Sequence, residues 1–363
     1  MTEQFEDETT AFQFHGRWQD YAPIAFTNLL LTIVTLGIYR FWATTRTRRY
    51  LWSQTRFIDE RLEWTGTGKE LFIGFLLALL LFGVPFLFLQ FGAQALILRG
   101  HADIAGILSI AALGLIVYVT GVARFRGLRY RLSRTFWHGI RGGSNDNGLG
   151  YGLSYVLKNA IGYFPFFLLV PWAMISLWNE RWQKMSFGPH AFRSEAQARP
   201  IFKIFLLFYL SPILIVLIIG AMAVTFGASF GSFHVFNDGA PPVIAIVLLL
   251  IVVAVVYMLL GLIALAYYAA YLREGIGGLS LAGINFEFEA SSSDWLTLFI
   301  VDVLLVVGTL GIGMIFLSYR HWKFFITHLQ ASGEIDLEAL TQSRTREARH
   351  GEGLLDALDM GAI

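Results

Sequence analysis

The 363-residue chain contains no cysteine, which removes disulfides, thiolate metal sites, a cysteine nucleophile and lipidation through cysteine. Charge is scarce: Asp, Glu, Lys and Arg make up 15% of the residues against 56% hydrophobic ones, and the mean hydropathy is +0.59. Such a chain has too little polar surface to dissolve as an ordinary globular domain. Residues 1–10 hold Glu3, Glu6, Asp7 and Glu8 but no Lys or Arg, so no cleavable leader is expected and the first apolar segment should remain. A net charge of +1 gives no reason to expect a nucleic-acid partner.

Catalytic signatures are missing as well. There is no Gly-x-Ser-x-Gly elbow, no His-Glu-x-x-His pair and no convincing carboxylate dyad, so neither enzyme chemistry nor a cofactor is expected. Gly66-Thr67-Gly68-Lys69 has part of a phosphate-binding loop, but Glu63 stands where the first glycine belongs and Glu70 follows the lysine. His321 and His328, seven apart, have no third ligand at metal spacing, and an interfacial role is the simpler reading. His15 and His138 each precede a glycine and read as turn caps.

What the chain has is apolar length. Seven segments stand out, at about 21–43, 71–98, 104–123, 151–178, 201–230, 242–272 and 295–317. Most reach the roughly 20 residues that cross a ~30 Å hydrocarbon core as a helix. The expected fold is therefore an all-α polytopic membrane protein with short β-like strands on the cytoplasmic side. Lys and Arg come in blocks, from Arg46 to Lys69, Arg124 to Arg141, Arg181 to Lys203, and again from Arg320. Segments two and three are separated by Arg99 alone, and segments five and six by no basic residue. Basic loops face the cytoplasm.

Internal similarity organises the pattern. Displacing residues 12–50 by 274 positions matches them without gaps to 286–324: Phe12 and Phe14 fall on Phe286 and Phe288, Thr35-Leu36-Gly37-Ile38 on Thr309-Leu310-Gly311-Ile312, and Arg46 on Arg320. A weaker copy begins at Trp137-His138-Gly139 and runs to Trp172 and Arg181-Trp182. This divides the chain into an acidic tail (1–11), a first repeat unit (12–134), a second (135–283), a partial third (284–330) and a soluble tail (331–363) read as a short amphipathic helix with a loose, cytoplasmic end. Two topologies remain open: seven spans, or four full spans with segments one, four and seven entering and returning on the cytoplasmic side. The second gathers the basic blocks, and the Phe-x-Phe strands, on one side.

The residues Phe12-x-Phe14-x-Gly16, Asn28-Leu29-Leu30-Leu31-Thr32, Thr35-Leu36-Gly37-Ile38-Tyr39-Arg40-x-Trp42-Ala43, Arg46-x-Arg48-Arg49-Tyr50 and Thr65-Gly66-Thr67-Gly68-Lys69-Glu70-Leu71 resemble the YjgN-like family of bacterial inner-membrane proteins, a domain of unknown function. The resemblance covers most of the chain. It implies a multi-pass protein of the bacterial inner membrane and brings no activity, substrate or catalytic residues with it.

Polar groups inside apolar segments are the remaining site candidates, because a central Lys or Asp costs roughly 2.5 to 3.5 kcal/mol to insert. Asn28 aligns with Asp302 at the displacement of 274, and with Lys158 at one of 130. The trio suggests a substrate or ion site among the repeats of a transporter or channel; the plainer reading is a neutralised Lys158 to Asp302 pair that fixes packing. Arg46, Arg48, Arg49, Arg320 and Lys323 are candidate contacts for anionic lipids of the bilayer, or merely the orientation signal. The alternative function is a non-transporting membrane protein that binds lipid or partner proteins in envelope maintenance.

Overall fold

The computed structural model describes residues 11–230, 243–334 and 341–345. Three kinds of element alternate along it. Short strands are β1 (Phe12–Phe14), β2 (Thr55–Phe57), β3 (Glu60–Arg61), β4 (Glu63–Trp64), β5 (Thr135–Trp137), β6 (Ile140–Gly143), β7 (Ser186–Phe187), β8 (His190–Ser194), β9 (Leu279–Leu281), β10 (Ile284–Phe288) and β11 (Leu329–Ser332). Between them the chain leaves as helices and comes back.

Three excursions are short hairpins of two helices: α1 (Trp18–Val34) with α2 (Arg40–Ser53), α6 (Leu149–Tyr163) with α7 (Val170–Gln183), and α10 (Ser292–Gly308) with α11 (Leu317–Thr327). The other two are long. In the first, α3 (Gly68–Leu87) continues through a π-turn at Phe88–Gly92 into α4 (Ala93–Leu98) and returns as α5 (Ala102–Arg134); in the second, α8 (Arg199–Phe230) leaves and α9 (Val243–Gly277) comes back.

Seven spans do not occur among the described residues. Among the described residues four helical stretches are long and apolar enough to cross a membrane: Gly68–Leu98, Ala102–Arg134, Arg199–Leu217 and Leu250–Gly277. The hairpin arms have at most 17 residues, about 25 Å at 1.5 Å per residue, short of the ~30 Å hydrocarbon core. Segments one and seven read as spanning lengths because apolar residues continue through the turn, but the helix is broken there. At the first tip Leu36 (φ 52) and Gly37 (φ 91) adopt left-handed backbone, and Leu310 (φ 53) and Gly311 (φ 92) do so at the last. Thr35 Oγ1 accepts from Tyr39 N and Thr309 Oγ1 from Gly313 N, so the threonine hydroxyl ties each break closed. The middle tip is made differently, with left-handed Phe166 and Phe167.

Nor is the fold all-α. The strands build a three-stranded sheet, β1-β2-β3, and an eight-stranded antiparallel one running from β4 to β11 that curls into a half-barrel. Only Leu62 separates β3 from β4. The expectation of one sheet for the Phe-x-Phe strands is corrected likewise: β1 and β10 belong to different sheets, though the Phe12 and Phe286 rings lie 6.4 Å apart. Strands of two to five residues carry too weak a period to be counted from sequence. His138 sits in the turn between β5 and β6, whereas His15 lies between β1 and α1, so the two are not equivalent caps. Of the tail read as a helix, residues 335–340 and 346–363 lie outside the described part. Arg141 donates to the Thr345 carbonyl, and Gln342 to that of Gly139, which ties residues 341–345 to the strand pair β5-β6.

Every helical excursion among the described residues begins and ends at a strand, and the sheet end is therefore where the chain is knitted together. Tyr21 stacks on Tyr319 at 5.5 Å and Trp52 on Trp322 at 4.0 Å, so the first and last hairpins pack as one body. Away from the sheets the helices turn apolar side chains outward, among them Leu80, Ile107, Ile110, Leu113, Val216 and Leu250.

Candidate functional site

The three polar residues of the apolar segments are not brought together. Asn28 Nδ2 donates to the Ala43 carbonyl at 3.3 Å and to Thr47 Oγ1 at 3.4 Å. Lys158 Nζ donates to Glu180 Oε2 at 2.7 Å and to the Ser176 carbonyl at 3.3 Å. Asp302 accepts from Arg320 Nε and pairs with His321 Nε2, both at 2.6 Å. Each therefore finds its partner on the second arm of its own hairpin, and the Lys158 to Asp302 pair read from sequence does not form. The physical reason is proximity: a buried polar group takes the nearest partner, and an antiparallel arm begins a few residues beyond the turn.

Asn28 differs from the other two in one respect. It is 7% exposed, and among the described residues its Oδ1 has no hydrogen-bond partner. It lines a cleft of about 640 Å³ between the first hairpin and the residues 314–325 of the last. Two helix faces build that cleft. Tyr21, Ala25, Asn28 and Thr32 recur at i, i+4, i+7 and i+11 along α1, and Arg40, Thr44, Thr47, Arg48 and Leu51 recur at the same helical spacing along α2. The far wall carries Ser318, His321, Trp322 and Phe325, and Arg131 comes in from the last turn of α5. Among the described residues no carboxylate lines it. Arg48 lies with its guanidinium 5.1 Å over the Trp64 ring, and Arg40 5.5 Å from that of Phe41. The result is a cationic, hydroxyl-bearing cleft with an aromatic floor.

Of the five basic residues singled out in the sequence, Arg48 alone lines this cleft. Arg46, Arg49 and Lys323 are exposed on the outer sides of their helices, and Arg320 is committed to Asp302. Arg40 and Arg131 are cationic residues of the cleft that were not singled out as site candidates, and His321 was read only as an interfacial residue. The polar spacing along α2, four residues from Arg40 to Thr44 and four more to Arg48, is the signal that finds the first.

The Gly66-Thr67-Gly68-Lys69-Glu70 stretch has a structural task. Thr67 and Glu70 form a capping box at the start of α3, and Glu70, 7% exposed, also accepts from Tyr130 Oη at 3.1 Å and pairs with Arg134. A Cβ at Gly68 would lie 2.8 Å from Trp42 Cα, so glycine permits the close approach of the first hairpin. Among the described residues no group of three or more His, Asp or Glu is arranged to hold a metal ion.

Four long apolar helices and three short hairpins, all hung from a β-sheet base, define a helical membrane protein whose polar interior is concentrated at the sheet end. The chain belongs to a family of bacterial proteins of unknown function, DUF898, whose family model matches residues 9–357. It is similar to the inner membrane protein YjgN of Escherichia coli O157:H7, 34% identical over 131 residues that make up 36% of this chain and 30% of that protein. With the YjgN of Escherichia coli K12 it shares 31% over 141 residues, 39% of this chain and 32% of the relative. The match spans about a third of the length of these curated relatives. No solved structure matches the chain.

Proposed function

We propose that this protein binds an anionic phospholipid of the cytoplasmic leaflet, with the headgroup held in the cleft between the first and last hairpins. The observation that carries the reading is the cleft itself: Arg40, Arg48 and Arg131 line it together with the buried Asn28, whose Oδ1 has no donor among the described residues. Phosphate oxygens suit the guanidinium groups, and a headgroup hydroxyl suits Asn28 Oδ1.

In this reading the sheets and the C-terminal tail face the cytoplasm, four helices cross, and the three hairpins dip into the near leaflet. Basic residues concentrate at the sheet end, while the turn between α4 and α5 has Arg99 and His101, followed by Asp103 in the first turn of α5. The hairpin tips carry Leu36, Phe164 and Leu310, each more than 90% exposed, as suits residues that lie in hydrocarbon. A transporter has less support, because Lys158 and Asp302 are both satisfied inside their own hairpins. The reading assigns no catalytic step.

The test is lipid selectivity of the full chain in nanodiscs that mix phosphatidylglycerol with phosphatidylcholine, read by mass spectrometry of the lipid that stays bound. Enrichment of phosphatidylglycerol is expected. Arg40→Gln with Arg48→Gln should lower it about thirtyfold, at ~1 kcal/mol per basic residue near the surface. Equal retention of both lipids by the unaltered protein overturns the reading.

A further inference from the structure

A second cavity, of about 310 Å³, lies between the half-barrel and the sheet ends of the helices. Its floor is apolar: Phe57, Trp137, Phe187, Phe192, Leu281 and Phe286 project from the strands. Its other wall, from α7, bears Trp178, Arg181 and Trp182, and here the polar atoms are unsatisfied. Trp178 is 4% exposed, and among the described residues neither its Nε1, nor that of Trp182, nor Arg181 Nε has a hydrogen-bond partner. Arg181 forms no ion pair among them either; its guanidinium rests 5.5 Å over the Trp178 ring. A half-buried cation with no counter-ion, flanked by two buried donors, is costly unless something supplies acceptors and negative charge.

Among the described residues no carboxylate lines the cavity. We propose that it binds a fatty acid of medium length, with the carboxylate on Arg181 and the indole N–H groups of Trp178 and Trp182 and the chain packed in the aromatic cup of the sheet. A carboxylate matches the guanidinium fork and is a pure acceptor, as three donors require. The volume is at the small end of the ~300 to 1,000 Å³ of ligand pockets, which suits one acyl chain and not a two-chain phospholipid. The site is separate from the headgroup cleft. Arg131 and Phe325 line both cavities, whereas Arg181, Trp178 and Trp182 line this one alone.

The test uses the full chain in phosphatidylcholine nanodiscs, photolabelled with a diazirine-bearing decanoate and mapped by mass spectrometry. Adducts on the strand residues of the cup, displaced by decanoate but not by decanol, are expected. Arg181→Met should weaken the displacement by decanoate roughly tenfold or more. Should that variant not fold, Trp178→Phe with Trp182→Phe, which removes only the two donors, should weaken it by a smaller factor. Labelling that is absent, that decanol displaces equally, or that all these variants leave unchanged overturns the proposal. So does labelling that appears only after removal of residues 346–363, since the occupant is then the chain's own apolar and acidic tail. Arg40→Gln and Arg48→Gln should leave this labelling intact, so the cleft and the cavity fail or succeed independently.

Discussion

Lys158 Nζ lies 2.7 Å from Glu180 Oε2, across the two arms of one hairpin and 22 residues along the chain. The pair is about one-fifth exposed on each side, and Lys184 also approaches Glu180 at 3.5 Å. Lys158→Met should therefore destabilise on the order of 2 kcal/mol, below the ~3 to 5 kcal/mol for breaking a fully buried pair, because the pair is partly exposed and Glu180 keeps a second cation nearby. Combining it with Glu180→Leu should recover part of the loss, as thermal unfolding in detergent will show.

Asp302 and Lys158 belong to different hairpins, so their losses should add. The double variant Lys158→Met with Asp302→Leu is expected to lose the sum of the single effects to within about 0.5 kcal/mol, as independent sites do. Asp302→Leu with Arg320→Leu should instead fall short of its sum, since the first change leaves Arg320 and His321 facing an apolar side chain.

Where α5 crosses α6, Gly121 and Gly152 let the backbones meet. A methyl at Gly121 would lie 2.5 Å from Tyr155 Cβ, and one at Gly152 2.5 Å from Val122 Cγ2. Gly121→Ala and Gly152→Ala should each cost about 1 to 3 kcal/mol by overpacking. Gly106→Ala, on the same helix with open space around it, should be neutral or slightly stabilising in the same unfolding measurement.

Ser291 and Asp294 cap α10 with a reciprocal pair of hydrogen bonds. The Ser291 hydroxyl and amide bonds to Asp294, with His328 nearby, hold its carboxyl below the usual range. A depressed carboxylate stabilises the fold above the unfolded value of ~3.9, and that contribution fades as pH falls through the lower folded value. Asp294→Ala should cost about 1 kcal/mol at neutral pH, and the difference from the unaltered protein should shrink below about pH 4.

How much of this was legible in the sequence depended on the length of the signal. The four long helices were plain, because charge-free runs such as that around Leu250 admit few other structures. Thr35-Leu36-Gly37 and Thr309-Leu310-Gly311 were visible as matching residues, but the left-handed break they encode is a conformation of two residues inside an apolar run, which hydropathy averages away. The strands escaped for the opposite reason: Glu63-Trp64 and Ser186-Phe187 are too short for any period to register, and their pairing is set by partners far along the chain. The polar residues were found and their partners were not. Alignment depth placed Asn28, Lys158 and Asp302 on one axis, while the partners lay 18 to 22 residues on for the two charges, across each turn. Arg181 had been seen only as a member of a basic block and of the weaker copy, since its lack of a counter-ion among the described residues is a fact of packing.

The lipid reading rests on hairpins that enter the near leaflet without crossing, for only then does the cleft lie at headgroup depth. Single cysteines at Leu36, Leu310 and Asp103 in this cysteine-free chain, reacted with an impermeant thiol reagent in intact cells and then in inverted vesicles, test it most directly. The account predicts labelling from outside at Asp103→Cys alone, and spin labels at Leu36 and Leu310 that report an oxygen-rich, metal-inaccessible apolar setting. Labelling of Leu36→Cys or Leu310→Cys from outside would contradict it.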